Sequence, residues 1–350
     1  MNEWLFLIFT TVFFAVCILL GWRLLPEERW QMLATIPWTR RCDTTWNGIN
    51  LTSYGLLIAT AALISIVFVL LLTGSTGTPL TPVLATLLLA VVICVPASRL
   101  IARWVEKKPH TFTVGGAFFC GLIVTPVLIL LVNTGCRIML APPLDMAMML
   151  AAISIGYVLG EGLGRLACIS FGCCYGKPLK QCHPFTVLFF NRLAFVFSGS
   201  TQKAVYEGGF KGVKLVPIQG LTSIFHTVTA LIATYLFFQE AYGAAFLLCL
   251  IASQTWRIIS EVLRSDFRGN TKVSVYQKMG GAAIIYSCGL IFLLPPSFLP
   301  PPDITRGLDQ FADPLLFLGL QLLWGVLFLF FGRSMVTGAT LSFQVHRDRV

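Results

Sequence analysis

Residues 51–72 read Leu51-Thr52-Ser53-Tyr54-Gly55-Leu56-Leu57-Ile58-Ala59-Thr60-Ala61-Ala62-Leu63-Ile64-Ser65-Ile66-Val67-Phe68-Val69-Leu70-Leu71-Leu72, with no charged side chain among them. A helix needs about 20 such residues to cross a hydrocarbon core roughly 30 Å thick. Working outward, comparable runs occupy Trp4–Leu20, Leu80–Pro96, Val114–Val132, Met146–Gly164, Gly220–Phe238, Tyr242–Leu263, Gly280–Phe298 and Pro314–Phe331. Together they predict an all-α polytopic membrane protein with about nine transmembrane helices. The whole chain agrees: 56% of its 350 residues are hydrophobic and only 11% charged, with a mean hydropathy of +0.81. Soluble chains carry about 25% charged residues, so no part of this one reads as a soluble domain.

The net charge of +10 would suggest nucleic acid in a soluble domain. Here the basic residues sit between apolar runs, where membrane topology and anionic lipid headgroups account for them, and no nucleic-acid partner is expected. Nearly all of the 25 Lys and Arg fall in the odd-numbered loops and the C-terminal tail. The positive-inside rule therefore predicts a cytoplasmic C-terminus and an outside N-terminus. The opening Met1-Asn2-Glu3 is acidic and no small-residue cleavage site follows, so the first run is expected to be a retained helix. Trp22, Trp30, Trp38, Trp104 and Trp256 lie near span ends, as interface anchors do. The one long connection, residues 165–219, suits a small extramembrane subdomain.

Charges at membrane depth are costly, and two groups stand out. Glu161 and Arg165 lie in Gly160-Glu161-Gly162-Leu163-Gly164-Arg165 and share a helix face, while the three glycines permit close approach of a backbone or a headgroup. Arg257, Glu261 and Arg264 share a face of a later span. Such groups read equally as ion pairs that hold the bundle or as a phosphate site, for which the guanidinium fork is well suited.

The stretch Gly164-Arg165-Leu166-Ala167-Cys168-Ile169-Ser170-Phe171-Gly172-Cys173-Cys174-Tyr175-Gly176-Lys177 resembles the signature of the prolipoprotein diacylglyceryl transferase family. Gly164, Arg165, Gly172 and Gly176 match in register, and Lys177 stands for an Arg. Cys168 and Phe171 replace family asparagines, and Cys173 a glutamate. Pro217-Ile218-Gln219 resembles the family's Pro-x-Gln element, and Arg257 to Arg264 its Arg-Glu-Arg segment. The resemblance implies a core of about seven helices at residues 51–298, containing the 165–219 loop. Residues 1–50 then form an extra N-terminal helix and basic loop, and residues 299–350 an extra C-terminal helix and tail.

It also implies an enzyme of the bacterial cytoplasmic (inner) membrane. The reaction would transfer a diacylglyceryl group from phosphatidylglycerol to the lipobox cysteine of a lipoprotein precursor, releasing glycerol phosphate, with no cofactor. Arg165 and Arg257 become phosphate clamps, oriented by Glu161, Glu261 and Arg264. Gly164, Gly172, Gly176, Lys177 and Gln219 join the substrate-binding set. The family carries a His-Gly-Gly element; here Gly115 and Gly116 remain, and Cys120 or Thr113 stands where the His is expected, making Cys120 a catalytic candidate. The family's Tyr before the second Arg is Ser253. Family members face the signature loop outward, opposite to the charge count. The alternative is a non-catalytic phospholipid-binding or lipid-transport protein on the same scaffold.

Two features lie beside this reading. Cys168, Cys173, Cys174 and Cys182-His183 are dense enough for a soft-metal or redox centre, but their spacing does not repeat the usual paired pattern. Cys168 and Cys173 are therefore read as small packers, a disulfide in the loop being the alternative if that loop lies outside, and no metal is expected. His226, inside an apolar span, reads as a satisfied buried residue rather than a headgroup contact, and His110 as a solvated loop residue.

Overall fold

In the computed structural model, residues 2–106, 114–266 and 274–350 are described. His110, Thr113, Arg268 and the side chain of Trp104 lie outside them. The chain runs α1 (Glu3–Leu24), β1 (Met32–Arg40), β2 (Thr45–Thr52), α2 (Ser53–Ser75), α3 (Leu80–Glu106), α4 (Val114–Ile138) and α5 (Met146–Phe171). A short extramembrane stretch follows, with α6 (Pro184–Phe190), β3 (Phe195–Val196), α7 (Lys203–Tyr206) and β4 (Lys214–Leu215). It ends with α8 (Ile218–Phe238), α9 (Tyr242–Val262), α10 (Val275–Ile291), α11 (Ile304–Asp309), α12 (Pro314–Gly332) and β5 (Arg333–Ser342).

Among the described residues, eight helices are long and apolar enough to cross a membrane. They are α1 to α5, α8, α9 and α12, and the protein is a multi-pass membrane protein. The ninth expected span corresponds to α10, which begins and ends earlier than Gly280–Phe298 and has 17 residues, at the short end of what crosses a bilayer. Its start is fixed by a capping box: Ser274 accepts from the Gln277 backbone while the Gln277 side chain accepts from Ser274.

Helix α5 is the axis of the bundle. In its membrane-crossing window 72% is buried, against 11% for α3, which faces lipid. It packs on α2, α8 and α9 through small residues such as Ala147, Ala151, Ala152 and Ser154, the usual means of bringing helix backbones close in a bilayer. The Ser65 hydroxyl donates across the α2–α5 contact to the Gly156 carbonyl at 2.6 Å.

Two small sheets qualify the all-helical expectation. β1, β2 and β5 form an antiparallel sheet in the order β1-β2-β5, so the first loop and the C-terminal tail pair rather than run free. Pro37 lies on the edge strand β1, beside a register shift, where a missing N–H does least harm. Thr52 joins the sheet to the bundle: its hydroxyl caps α2 and donates to the Gly332 carbonyl at 3.1 Å. The second sheet, β3–β4, belongs to the extramembrane piece. Its core of Phe195, Phe197, Ala204 and Leu215 closes over Leu166, Ile169 and Leu25. The added ends are built into the bundle: α1 packs on α5 and α8, and α12 on α2.

Candidate functional site

A cavity of about 500 Å³ opens where the extramembrane piece meets α5, α8 and α9. Thr52, Gly115, Cys173, Lys203, Arg264 and Arg333 all line it. The ends of several odd-numbered loops and the start of the C-terminal strand thus meet on one side of the bundle.

Arg165 and Arg257 meet there on one carboxylate. Glu161 Oε1 accepts from Arg165 Nη2 at 2.8 Å and from Arg257 Nη2 at 2.8 Å. The first contact follows from the helix repeat, which sets residues four apart on one face of α5; the second needs α9 to pack beside it. Arg257 also donates to the Tyr157 hydroxyl at 3.2 Å, and that hydroxyl donates to Glu161. Phe118 stacks on Tyr157 with ring centres 4.7 Å apart and lies under the Arg257 guanidinium at 6.0 Å. The group is largely shut from water: the Glu161 side chain is 4% exposed, and those of Arg165 and Arg257 17% and 14%. Two positive charges on one negative leave an uncompensated positive charge where the local dielectric is low. Arg165 donates only to Glu161 among the described residues, out of five possible donors. A partly dry, donor-rich cavity with a surplus of positive charge suits an anionic group.

His226 is buried to 1% exposure and lines the cavity; the Ser253 backbone is a polar neighbour of its ring, although neither ring nitrogen makes a hydrogen bond of full geometry among the described residues. It fits because Gly162 faces it, where a Cβ would stand 3.0 Å from the His226 Cβ. Gly160 likewise lies against Ser65, whereas Gly164 faces only Ile58. Trp256, expected as an interface anchor, donates to Thr222 at 2.9 Å and lines the cavity.

Helix α5 ends in a Schellman motif. Gly172 turns left-handed (φ +66°), its N–H reaching the Ile169 carbonyl, and Cys173 N–H reaches the Cys168 carbonyl at 3.1 Å. This closure sets the residues on either side of it face to face, here Cys168 and Cys173. Cys174 is also left-handed (φ +56°), uncommon for a side chain with a Cβ, and brings a third sulfur back to the pair. The three sulfurs lie within 4.8 Å of one another. Hydrogen bonds from Cys168 and Cys173 hold the Cys174 thiol well below its usual range; Arg264 and Arg165 act in the same direction, against burial. Three of the four loop cysteines, Cys168, Cys173 and Cys174, thus converge although their linear spacing does not repeat a paired pattern. Cys182 instead contacts the Pro178 carbonyl at 3.5 Å, and His183 caps α6.

The other expected site residues divide clearly. Glu261 and Arg264 line the cavity. Ser274 donates to Glu261 at 2.6 Å, and Arg264 forms a two-pronged pair with Asp266 at 2.7 Å on both prongs. Gly164, Gly172, Gly176, Lys177, Gln219 and Cys120 are not among its lining residues. Gly172, Gly176, Lys177 and Gln219 shape the turn. Gln219 Nε2 donates to the Cys173 carbonyl at 2.9 Å, Lys177 N–H to Leu263 at 2.9 Å, and Gly176 pairs with Arg264 and abuts Val216, where a Cβ would clash. Cys120 hydrogen-bonds Cys94 of α3 instead. Sequence reasoning missed Tyr157, one helical turn before Glu161 on the same face, and Arg333, whose approach depends on strand pairing across the whole chain.

Fold and cavity together define a polytopic membrane protein with an arginine-lined internal cavity between α5 and α9. The model of the prolipoprotein diacylglyceryl transferase family matches residues 44–293, and the chain belongs to that family. One relative, named phosphatidylglycerol–prolipoprotein diacylglyceryl transferase, from Clostridium tetani (strain Massachusetts / E88), is 34% identical over 130 residues. That match covers 37% of this chain and 46% of the relative, less than half of its length.

Proposed function

We propose that the protein transfers the diacylglyceryl group of phosphatidylglycerol to the cysteine thiol of a lipoprotein precursor, in a bacterial cytoplasmic membrane, releasing glycerol phosphate. Family membership supports the general transferase class. The observation that carries the reading is the convergence of Arg165 and Arg257 on Glu161 with donors left over.

Breaking the bond between the glyceryl carbon and its phosphate oxygen builds negative charge on the leaving phosphate. Arginines already fixed by Glu161 and Tyr157 meet that charge without reorganising, the condition under which electrostatic stabilisation is strongest. His226 offers a further polar contact to the bound headgroup. A cavity at the end of the spans receives a headgroup while its acyl chains stay in lipid.

The test is incubation of the purified full-length protein in lipid nanodiscs with labelled phosphatidylglycerol and a lipobox peptide, read by mass spectrometry for the thioether. Arg165→Ala and Arg257→Ala are expected to lose lipid binding and product together. Lipid bound without product would favour the non-catalytic lipid-binding reading. A reporter fused into the Lys203–Lys214 segment tells which side of the membrane the cavity faces.

A further inference from the structure

The cysteine group lies in the same cavity as the arginines and is not used by the chemistry above. We infer that Cys168, Cys173 and Cys174 form a tripodal site for a soft divalent cation of the zinc class, with its fourth position open to the cavity for an acceptor thiol.

The geometry suits such an ion. Zinc–sulfur bonds of about 2.3 Å set sulfurs roughly 3.8 Å apart in a tetrahedral site, and these three lie within 4.8 Å before any ion draws them in. Each is fixed by backbone, not by a flexible loop. Cys168 lies in the last turn of a buried helix, Cys173 is bound to it by the Schellman hydrogen bond, and the Cys173 carbonyl is held by Gln219. The left-handed Cys174 (φ +56°) is the telling feature, since that conformation is disfavoured in a residue with a Cβ. A residue present only to fill space gains nothing from it; a third ligand does.

Charge also balances. Three thiols binding a divalent ion release three protons, leaving the site one negative charge in excess. The one positive charge left over where Arg165 and Arg257 share Glu161 lines the same cavity and offsets it. Three protein ligands and one open position is the arrangement of a catalytic rather than a structural zinc.

The role in transfer rests on the proposed function. An acceptor thiol entering the fourth position gives up its proton to cavity water and becomes a metal-held thiolate. Its sulfur forms a bond to the glyceryl carbon as the carbon–oxygen bond to phosphate breaks. The electron pair leaves with glycerol phosphate, toward Arg165 and Arg257. This supplies thiol activation in a chain where Cys120 faces Cys94 and not the cavity.

The experiment is titration of reduced, metal-stripped, full-length protein with Co²⁺, following thiolate-to-cobalt charge transfer and the tetrahedral ligand-field bands. One ion per chain is expected, displaced by Zn²⁺. Cys168→Ser, Cys173→Ser and Cys174→Ser should each weaken binding on the order of 100-fold, and Cys182→Ser should not. A lipobox cysteine peptide should shift the ligand-field bands, and its serine analogue should leave them alone.

No charge-transfer band in the wild type, or a band that survives the Cys168→Ser/Cys173→Ser double variant, overturns the site. Should the serine variants fold poorly, alkylating the thiols of the folded wild type must abolish the band, and its persistence overturns the site equally. Transfer continuing in metal-free protein removes the ion from the reaction and leaves the proposed function standing. A bound ion with no transfer under any condition does the reverse.

Discussion

The two halves of the cavity are built by different means. The arginine half is made of side chains: Glu161, Arg165 and Tyr157 share a face of α5, and Arg257 arrives from α9. The cysteine half is made of backbone: a helix cap, two left-handed residues and a carbonyl held by Gln219 place three cysteine sulfurs together. Buried charges must be paired wherever they sit, so the first half also holds the bundle together. Buried thiols behave as small apolar groups, so the second half is free to serve a ligand without carrying the fold. Removing side chains should therefore damage the first half most, and altering backbone conformation the second.

The largest effect is expected for Glu161→Ala. It strands two buried guanidiniums, and breaking such a pair costs about 3–5 kcal/mol. Thermal unfolding in detergent should show a large loss of stability, while Cys174→Ala should lose much less; equal losses would erase the contrast. Next, Arg257→Lys keeps the charge but loses the planar fork. Phosphatidylglycerol affinity, measured by binding to purified protein, should fall about 10- to 100-fold, as for loss of charged hydrogen bonds. Full retention would show that bidentate geometry is unnecessary.

A smaller effect is expected for Gly162→Val. Its Cβ would sit 3.0 Å from the His226 Cβ and 3.2 Å from the Thr227 nitrogen, an overpacking cost of about 1–3 kcal/mol. The melting temperature should drop and His226 should be displaced from the cavity. Gly172→Ala should cost about 1–2 kcal/mol through its left-handed φ. It should also slow oxidant-driven Cys168–Cys173 crosslinking, scored by mass spectrometry. The smallest effect belongs to Lys203→Ala at the rim. Its pair with Glu207, at 3.1 Å, has side chains 31% and 36% exposed, and such pairs contribute within about 1 kcal/mol.

Much of this was legible in the chain. The apolar runs marked the membrane helices, because about 20 continuous apolar residues cross the hydrocarbon only as a helix that satisfies its own backbone groups. The four-residue spacing of Glu161 and Arg165 announced their pair, and the Gly-Arg signature pointed to the family. The strand at 333–342 was hidden, because its pairing with β2 joins residues nearly the whole chain apart. The cysteine site was hidden differently. Linear spacing suggested no metal pattern, yet Gly172 as a helix-ending glycine, with Cys168 before it and Cys173 after it, was the signal of two facing sulfurs.

By itself, then, the sequence determined the solvent this chain folds in, the helices that cross it, and contacts within one helical turn, since hydrophobic length and helix periodicity are local properties. Only the tertiary structure decided that Arg257 shares a carboxylate with Arg165, that His226 is buried against Gly162, that Cys120 turns away, and that β5 brings Arg333 to the cavity. Each of these depends on which helix faces pack together, and packing is a contest among all the spans that no single segment records.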